Sequence, residues 1–197
     1  MHVSHRLEGI GEYYFSQKLR EIDQLNRHGK NIINLGIGSP DLPPHPDVIR
    51  ILQEESAKPN VHAYQSYKGS PLLRNAIAGW YRRWYAVELD PDTQILPLIG
   101  SKEGIMHICM TYLNPGDVAL VPNPGYPTYR SAVKLAGASV LEFHLREKDN
   151  WFPDFEEMEN RIHALSLPGE CRVKLLFVNY PHMPTGQLPE LDMMQKL

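Results

Sequence analysis

The sequence predicts an α/β fold, a mostly parallel sheet flanked by helices, and three observations carry that expectation. From residue 94 onward, short apolar runs at 95–99, 118–121, 139–143 and 173–178 alternate with helix-like stretches at 102–113, 126–136 and 154–166. Strands alternating with helices mark βαβ units, whose strands run parallel. The runs are also apolar at consecutive positions, as in Leu175-Leu176-Phe177-Val178. A strand of that kind is covered on both faces, so helices are expected on each side of the sheet. Finally, the chain has 197 residues, of which 42% are hydrophobic and 22% charged. That is enough to bury a core in one domain, or in one and part of another.

The elements before residue 94 follow from punctuation and period. The first 30 residues read as an amphipathic helix: Leu19, Ile22 and Leu25 recur at three-residue spacing, and Gly29 sits where a C-cap glycine belongs. Ile32-Ile33-Asn34-Leu35 reads as a short strand running into the loop Gly36-Ile37-Gly38-Ser39-Pro40-Asp41. Pro43, Pro44 and Pro46 bar a helix before Pro46, whose fixed φ suits the first turn of a helix over 46–57. Residues 59–69 read as a loop. Ser70 is the expected N-cap and Pro71 the first residue of a helix whose Leu73, Ala76, Ile77, Trp80 and Trp84 share one face. At the other end, Leu191-Asp192-Met193-Met194-Gln195-Lys196-Leu197 reads as an amphipathic helix that stops in mid-fold, and on that reading the sequence is cut short.

Composition excludes several functions. The net charge of -3 and the lack of any basic cluster beyond Arg82-Arg83 argue against a nucleic-acid surface. Two cysteines, Cys109 and Cys171, are too few for a disulfide scaffold and lack metal-ligand spacing. The nine histidines are scattered, without a His-Glu-x-x-His pattern, so no metal is expected. His107 and Cys109 fall inside a helix and read as packed. No apolar segment follows Met1-His2-Val3-Ser4-His5-Arg6, and no run approaches membrane-spanning length. A soluble cytoplasmic protein that binds neither nucleic acid nor membrane is expected.

In open α/β sheets ligands bind beyond the carboxyl ends of the strands, and three loops there carry unusual residues. Gly100-Ser101-Lys102-Glu103-Gly104 offers a backbone that can be closely approached, a hydroxyl, a helix start and a cation, which together suit a phosphate. It equally describes an ordinary N-cap serine with solvated charges. It is not a Walker A loop, whose G-x-x-x-x-G-K-[ST] spacing is absent. In Asn123-Pro124-Gly125-Tyr126-Pro127-Thr128-Tyr129 two prolines stiffen the backbone around Tyr126, whose ring can serve as a platform for a flat ligand or simply fill a tight turn. Asn179-Tyr180-Pro181-His182-Met183-Pro184-Thr185-Gly186 is a third rigid loop. Three such loops at neighbouring strand ends point to a pocket for a flat, phosphorylated ligand. Gly36-Ile37-Gly38 lacks the third glycine of a dinucleotide fingerprint, because Asp41 takes that place.

Read together, these segments resemble the N-terminal half of a class I/II pyridoxal-phosphate-dependent aminotransferase of the aspartate-aminotransferase fold type. Asn34 to Asp41 is similar to the family's early substrate loop. Tyr64-Gln65-Ser66-Tyr67-Lys68-Gly69 followed by Leu73-Arg74 resembles its tyrosine-to-glycine segment. Gly100 to Gly104 is similar to its phosphate loop, Pro122 to Pro127 to its ring-stacking segment, and Asn179 to Gly186 to the loop that usually reads Asn-x-Pro-x-Asn-Pro-Thr-Gly.

The resemblance implies pyridoxal 5'-phosphate as cofactor and an amino acid and a 2-oxo acid as substrates. Ser101 and Lys102 would hold the cofactor phosphate, Tyr126 would stack on the ring, and Tyr64 would reach the cofactor of a neighbouring subunit in a homodimer with shared sites. Gly38 and Tyr13 would lie near the substrate. Residues 1–45 would contribute to the small domain and substrate loop, and 46–197 would form part of the large cofactor-binding domain. Two departures stand out. Met183 replaces the family's asparagine, and a thioether cannot donate the hydrogen bond that the amide gives to the cofactor's phenolic oxygen. The Schiff-base lysine, the ring-nitrogen aspartate and the carboxylate-binding arginine are expected beyond Leu197, so no catalytic residue is assigned here and the chain alone is expected to be inactive. Two other readings stay open: a short non-catalytic protein binding a phosphorylated ligand or a partner subunit, and a lyase of the same fold.

Overall fold

The computed structural model of the chain describes residues 2, 4–8, 10–36, 38, 40–165 and 172–197. Ile37 and Ser39 of the early loop, Ser166 at the end of a predicted helix, and Cys171 lie outside the described residues. The chain divides into two compact units, Gly11–Pro97 on the one hand and Met1–Ile10 with Leu98–Leu197 on the other. No helix among the described residues is long and apolar enough to cross a membrane.

The unit Gly11–Pro97 is helical. Helix α1 spans Tyr14–Arg27 rather than the first 30 residues, and Gly29 follows it with φ 79, the left-handed turn that a Cβ would disfavour. Helix α2 is Pro46–Ser56, with Pro46 in the first turn and the His45 ring Nδ1 accepting the Asp47 N–H at 3.2 Å. Helix α3 is Pro71–Tyr85, and the Ser70 hydroxyl accepts the Leu73 N–H at 3.2 Å as expected of an N-cap. Its predicted apolar face is largely exposed, with Trp80 at 49% and Trp84 at 62%; the buried members of α3 are Arg74 and Ala78.

Two predicted strands are not observed, for a shared reason. Ile32–Leu35 and 95–99 have no ladder partner among the described residues, and part of their backbone is taken by side chains. The Asn26 amide accepts the Ile32 N–H at 2.5 Å and donates to the Ile32 carbonyl at 3.2 Å. The Glu103 carboxylate accepts the Ile99 N–H at 2.7 Å. An apolar run predicts a strand only if another strand completes its hydrogen bonds, and that second condition is not local.

The other unit holds the sheet. After helix α4 (Ser101–Tyr112) come strand β1 (Val118–Asn123), helix α5 (Pro127–Leu135), strand β2 (Ser139–His144), helix α6 (Phe155–Leu165), strand β3 (Val173–Leu176) and helix α7 (Leu191–Gln195). The three strands are all parallel, in the order β2-β1-β3. Period two along β1 then separates two cores. Ala119 and Val121 pack with Cys109 and Leu113 of α4's end and with Ala132 and Val133 of α5. Leu120 points the other way and packs with Phe143, Leu145 and Met158 of α6. Strand β1 is covered on both faces, as an apolar run predicts, whereas in the run 175–178 Leu176 and Val178 are exposed, so that run is covered on one face only. Cys109 is fully buried, whereas His107 is exposed, so the expectation that both are packed holds for the cysteine alone.

Candidate functional site

The strand order places the site. From β1 the chain crosses by α5 to β2 on one side, and β3 then pairs on β1's other side. The strand order thus reverses at β1, and ligands of open α/β sheets bind beyond the carboxyl ends of the strands at such a switch point. The loops there are 123–126 after β1 and 179–186 beyond β3.

The β1 loop is held at several points. The Asn123 amide donates to a Glu142 carboxylate oxygen at 2.6 Å, and the other oxygen of that carboxylate pairs with Arg130 of α5. Gly125 is required by close approach: a Cβ there would lie 2.5 Å from the Pro122 carbonyl oxygen and 2.9 Å from Pro122 Cγ. Tyr126 ends the loop as the residue before α5 and is half-buried. Its ring meets Tyr129 edge-on at 5.7 Å, and Tyr129 stacks on Phe177 at 4.6 Å and 20°. Burial raises the Tyr129 pKa, and the neighbouring Tyr126 raises it further. The Tyr129 phenol therefore stays neutral at physiological pH.

The start of α4 lies across from this ring. Lys102 Nζ sits 5.9 Å from the Tyr126 ring centroid, at the outer limit of a cation–π contact. The N-cap is Gly100, in extended backbone and with no side chain to cap the first turn; Ser101 is the first helical residue, so the N-cap reading of Ser101 is corrected by one position. A Cβ at Gly100 would meet nothing within 4 Å, so the space over the helix start is open. Ser101 and Lys102 are both exposed. An open glycine cap, a hydroxyl and an ammonium beside an aromatic platform suit a phosphate carried by a flat ring.

The 179–186 loop is tightly self-bonded. The Asn179 side chain accepts the Met183 N–H at 3.0 Å, and the His182 carbonyl accepts the Gly186 N–H at 2.7 Å. Met183 is 45% exposed and brings no hydrogen-bond donor on its side chain. The buried member is His182, 2% exposed, with ring nitrogens 2.8 Å from Thr185 Oγ1 and 3.2 Å from the Pro124 carbonyl oxygen. Burial lowers its pKa, and the bond to Pro124 only partly opposes this. The sequence marks this loop as rigid and, by resemblance, singles out Met183, but gives His182 no role; a histidine flanked by Pro181 and Pro184 with a threonine three residues on was the available signal.

The remaining predicted residues belong to the unit Gly11–Pro97. Tyr64 is fully exposed and Gly38 is exposed with open space around it. Tyr13 precedes α1, and its ring lies 5.5 Å from that of Phe15. The segment bearing Tyr64 is anchored by a residue to which the sequence assigns no role. Arg74 is 6% exposed and donates to the carbonyls of Gly69 at 2.5 Å and Pro91 at 2.8 Å and to the Asp92 carboxylate at 2.8 Å. Gly69 closes the turn with φ 77, and a Cβ on it would sit 2.9 Å from Pro97 Cγ.

Comparison with known proteins gives consistent matches. The family model described as aminotransferase class I and II matches residues 30–197. An LL-diaminopimelate aminotransferase of Dehalococcoides mccartyi is 39% identical over 197 residues, and the transaminase BacF of Bacillus subtilis is 39% identical over 176. The apo structure of BacF superposes with a TM-score of 0.85 at 36% identity over 98% of this chain and 48% of that one. An alanine aminotransferase from Pyrococcus furiosus superposes at 0.84 with 28% identity, covering 99% and 48%. The chain spans about half the length of the curated relatives it matches, 49% of the first of them and 42% of BacF.

Proposed function

The chain belongs to the class I and II aminotransferases, a pyridoxal-phosphate-dependent family of fold type I, and from that premise we propose that the complete gene product transfers an amino group between an amino acid and a 2-oxo acid. The observation that carries this reading is the helix start Gly100-Ser101-Lys102 facing Tyr126 across 5.9 Å at the sheet's switch point. In this reading the N-terminal dipole of α4, the Ser101 hydroxyl and the Lys102 ammonium bind the cofactor phosphate, and Tyr126 orients the ring by stacking. Bound pyridoxal phosphate supplies the electron sink that accepts the pair left when the amino acid loses its α-proton. Met183 lines the same loop without offering the donor that an asparagine would.

Several finer points belong to the same proposal. Gly38 and Tyr13 contact substrate, and residues 1–45 contribute to a small domain while 46–197 form part of the large one. The full exposure of Tyr64 supports a homodimer in which it serves the partner's cofactor. Relatives named LL-diaminopimelate aminotransferase, at 35–40% identity, favour a dicarboxylic amino acid as one substrate. Low cysteine use, with Cys109 free and buried, supports a cytoplasmic location.

A fluorescence titration with pyridoxal phosphate tests the reading. Tyr126→Ala is expected to weaken binding roughly three- to tenfold, and removal of the cation in Lys102→Met by a similar factor. The complete gene product should transfer amino groups to 2-oxo acids, and both variants should lower that rate at limiting cofactor. Unchanged affinity in both variants, or no amino transfer by the complete product, would overturn it.

A further inference from the structure

We propose that His182 is a positioning residue: as a neutral imidazole with its proton on Nε2, it staples the 179–186 loop to the carbonyl of Pro124 and so fixes the loop that presents Tyr126. The assignment follows from what each partner can do. A carbonyl oxygen only accepts, so the Nε2 that lies 3.2 Å from Pro124 O carries the hydrogen. Nδ1, 2.8 Å from Thr185 Oγ1, then accepts the hydroxyl proton. Thr185 Oγ1 in turn accepts the Gln187 N–H at 3.4 Å, which leaves its own proton directed at the ring. The chain Gln187 N–H to Thr185 to His182 to Pro124 thus runs donor to acceptor in one direction.

The staple is rigid at both ends. The His182 N–H donates to the Gln187 carbonyl at 2.7 Å and its carbonyl accepts from Gly186 at 2.7 Å, so the backbone beneath the ring is pinned as well. On the other side Pro124 lies between Asn123, tied to Glu142, and Gly125, which has no room for a Cβ against Pro122. A loop clamped in this way passes any displacement of the Pro124 carbonyl on to Tyr126, two residues further. His182 is 2% exposed and Pro124 partly buried, so loss of the Nε2 donor also takes from the Pro124 carbonyl a partner supplied from the interior. The inference rests on the reading of Tyr126 as a stacking platform only for its consequence in cofactor binding; the staple itself is a property of the loops.

The experiment has two arms that separate these. In the first, ¹⁵N-labelled His182 is observed by NMR, and fluorotyrosine placed at position 126 reports the platform through its ¹⁹F signal. The Nε2–H tautomer is expected. His182→Leu should shift or broaden the ¹⁹F signal, and His182→Gln, which keeps an N–H donor near the Nε2 place, should restore it. Thr185→Val, a milder change should His182→Leu fail to fold, should let the Nδ1–H tautomer appear. An Nδ1–H tautomer or imidazolium in the unmodified protein, or a ¹⁹F signal indifferent to both His182→Leu and Thr185→Val, would overturn the proposal. In the second arm, pyridoxal phosphate affinity should fall roughly three- to tenfold in His182→Leu, as in Tyr126→Ala, and recover in His182→Gln. A loss in Tyr126→Ala without one in His182→Leu overturns the positioning role alone. No loss in Tyr126→Ala overturns the stacking reading, and the ¹⁹F arm still decides the staple.

Discussion

At Gly125 the β1 loop leaves no space for a methyl group, because the obstructing atom is the Pro122 carbonyl oxygen rather than a side chain that could turn away. Gly125→Ala is therefore expected to destabilise the protein by about 1–3 kcal/mol, the usual cost of overpacking against backbone, measured as a lower urea midpoint; an unchanged midpoint would mean the loop is looser than the structure shows. His182 gives the pH counterpart. Its pKa is lowered in the folded state by burial, from an ordinary value of 6.5. The unfolded chain then binds the proton more readily, so this contribution to stability is complete above pH 6.5 and is lost as pH falls through the lower folded value. Between about pH 7.5 and pH 5 the unmodified protein should lose more stability than His182→Gln. Parallel curves for the two proteins would remove His182 from the acid response. Tyr126 just after β1 and Ser101 and Lys102 at a helix start were legible from residue type and order, whereas the strand expected ahead of Ser101 did not form. The role of His182 was not, because a tautomer is set by partners that include a carbonyl 58 residues away in the chain.

Among the elements, α3 shows how local and long-range signals divide. Ser70 and Pro71 announce its start, and the structure honours both. Arg74 has no such local signature, yet it holds two loop carbonyls and the Asp92 carboxylate from a buried position on the helix. Ser70→Ala should cost about 1 kcal/mol, the usual worth of an N-cap. Arg74→Ala should cost more, about 2–4 kcal/mol, since it strips partners from several carbonyls at once. Thermal denaturation of the two variants checks the order, and an equal or smaller loss for Arg74→Ala would show that water replaces the guanidinium. The same division explains the strands. Runs 118–121, 139–143 and 173–178 became β1, β2 and β3 because each found a parallel neighbour, whereas Ile32–Leu35 and 95–99 carry the same composition without one. Composition marks what a segment can bury; pairing depends on the rest of the chain.

Across the whole molecule, burial is unevenly shared. Of the buried apolar residues, Cys109, Leu113, the run Val118 to Val121, Ala132, Val133, Ala138, Phe143, Leu145, Met158 and Met193 all belong to the unit Met1–Ile10 with Leu98–Leu197, while Gly11–Pro97 buries Ala78. Large apolar side chains of that second unit are exposed instead, among them Leu35 at 90%, Tyr67 at 95% and Trp84 at 62%. Local opening free energy follows buried contact, so the two units should differ in protection. In native-state hydrogen exchange the amides of β1 and of α4 and α5 around Cys109 and Val133 should exchange slowest, at a rate set by global unfolding. Those of α1 and α2, which have no buried residue, should exchange faster by roughly two orders of magnitude or more, the equivalent of about 3 kcal/mol or more in opening free energy. Although His45 caps α2 and both helices are amphipathic, α1 has no side-chain N-cap bond, and helices of this length are marginal without packing, so propensity alone would protect them only weakly. Exchange rates in α1 matching those of β1 would show that its apolar stripe is covered in solution by a surface beyond the contacts described, and the difference between the units would then vanish.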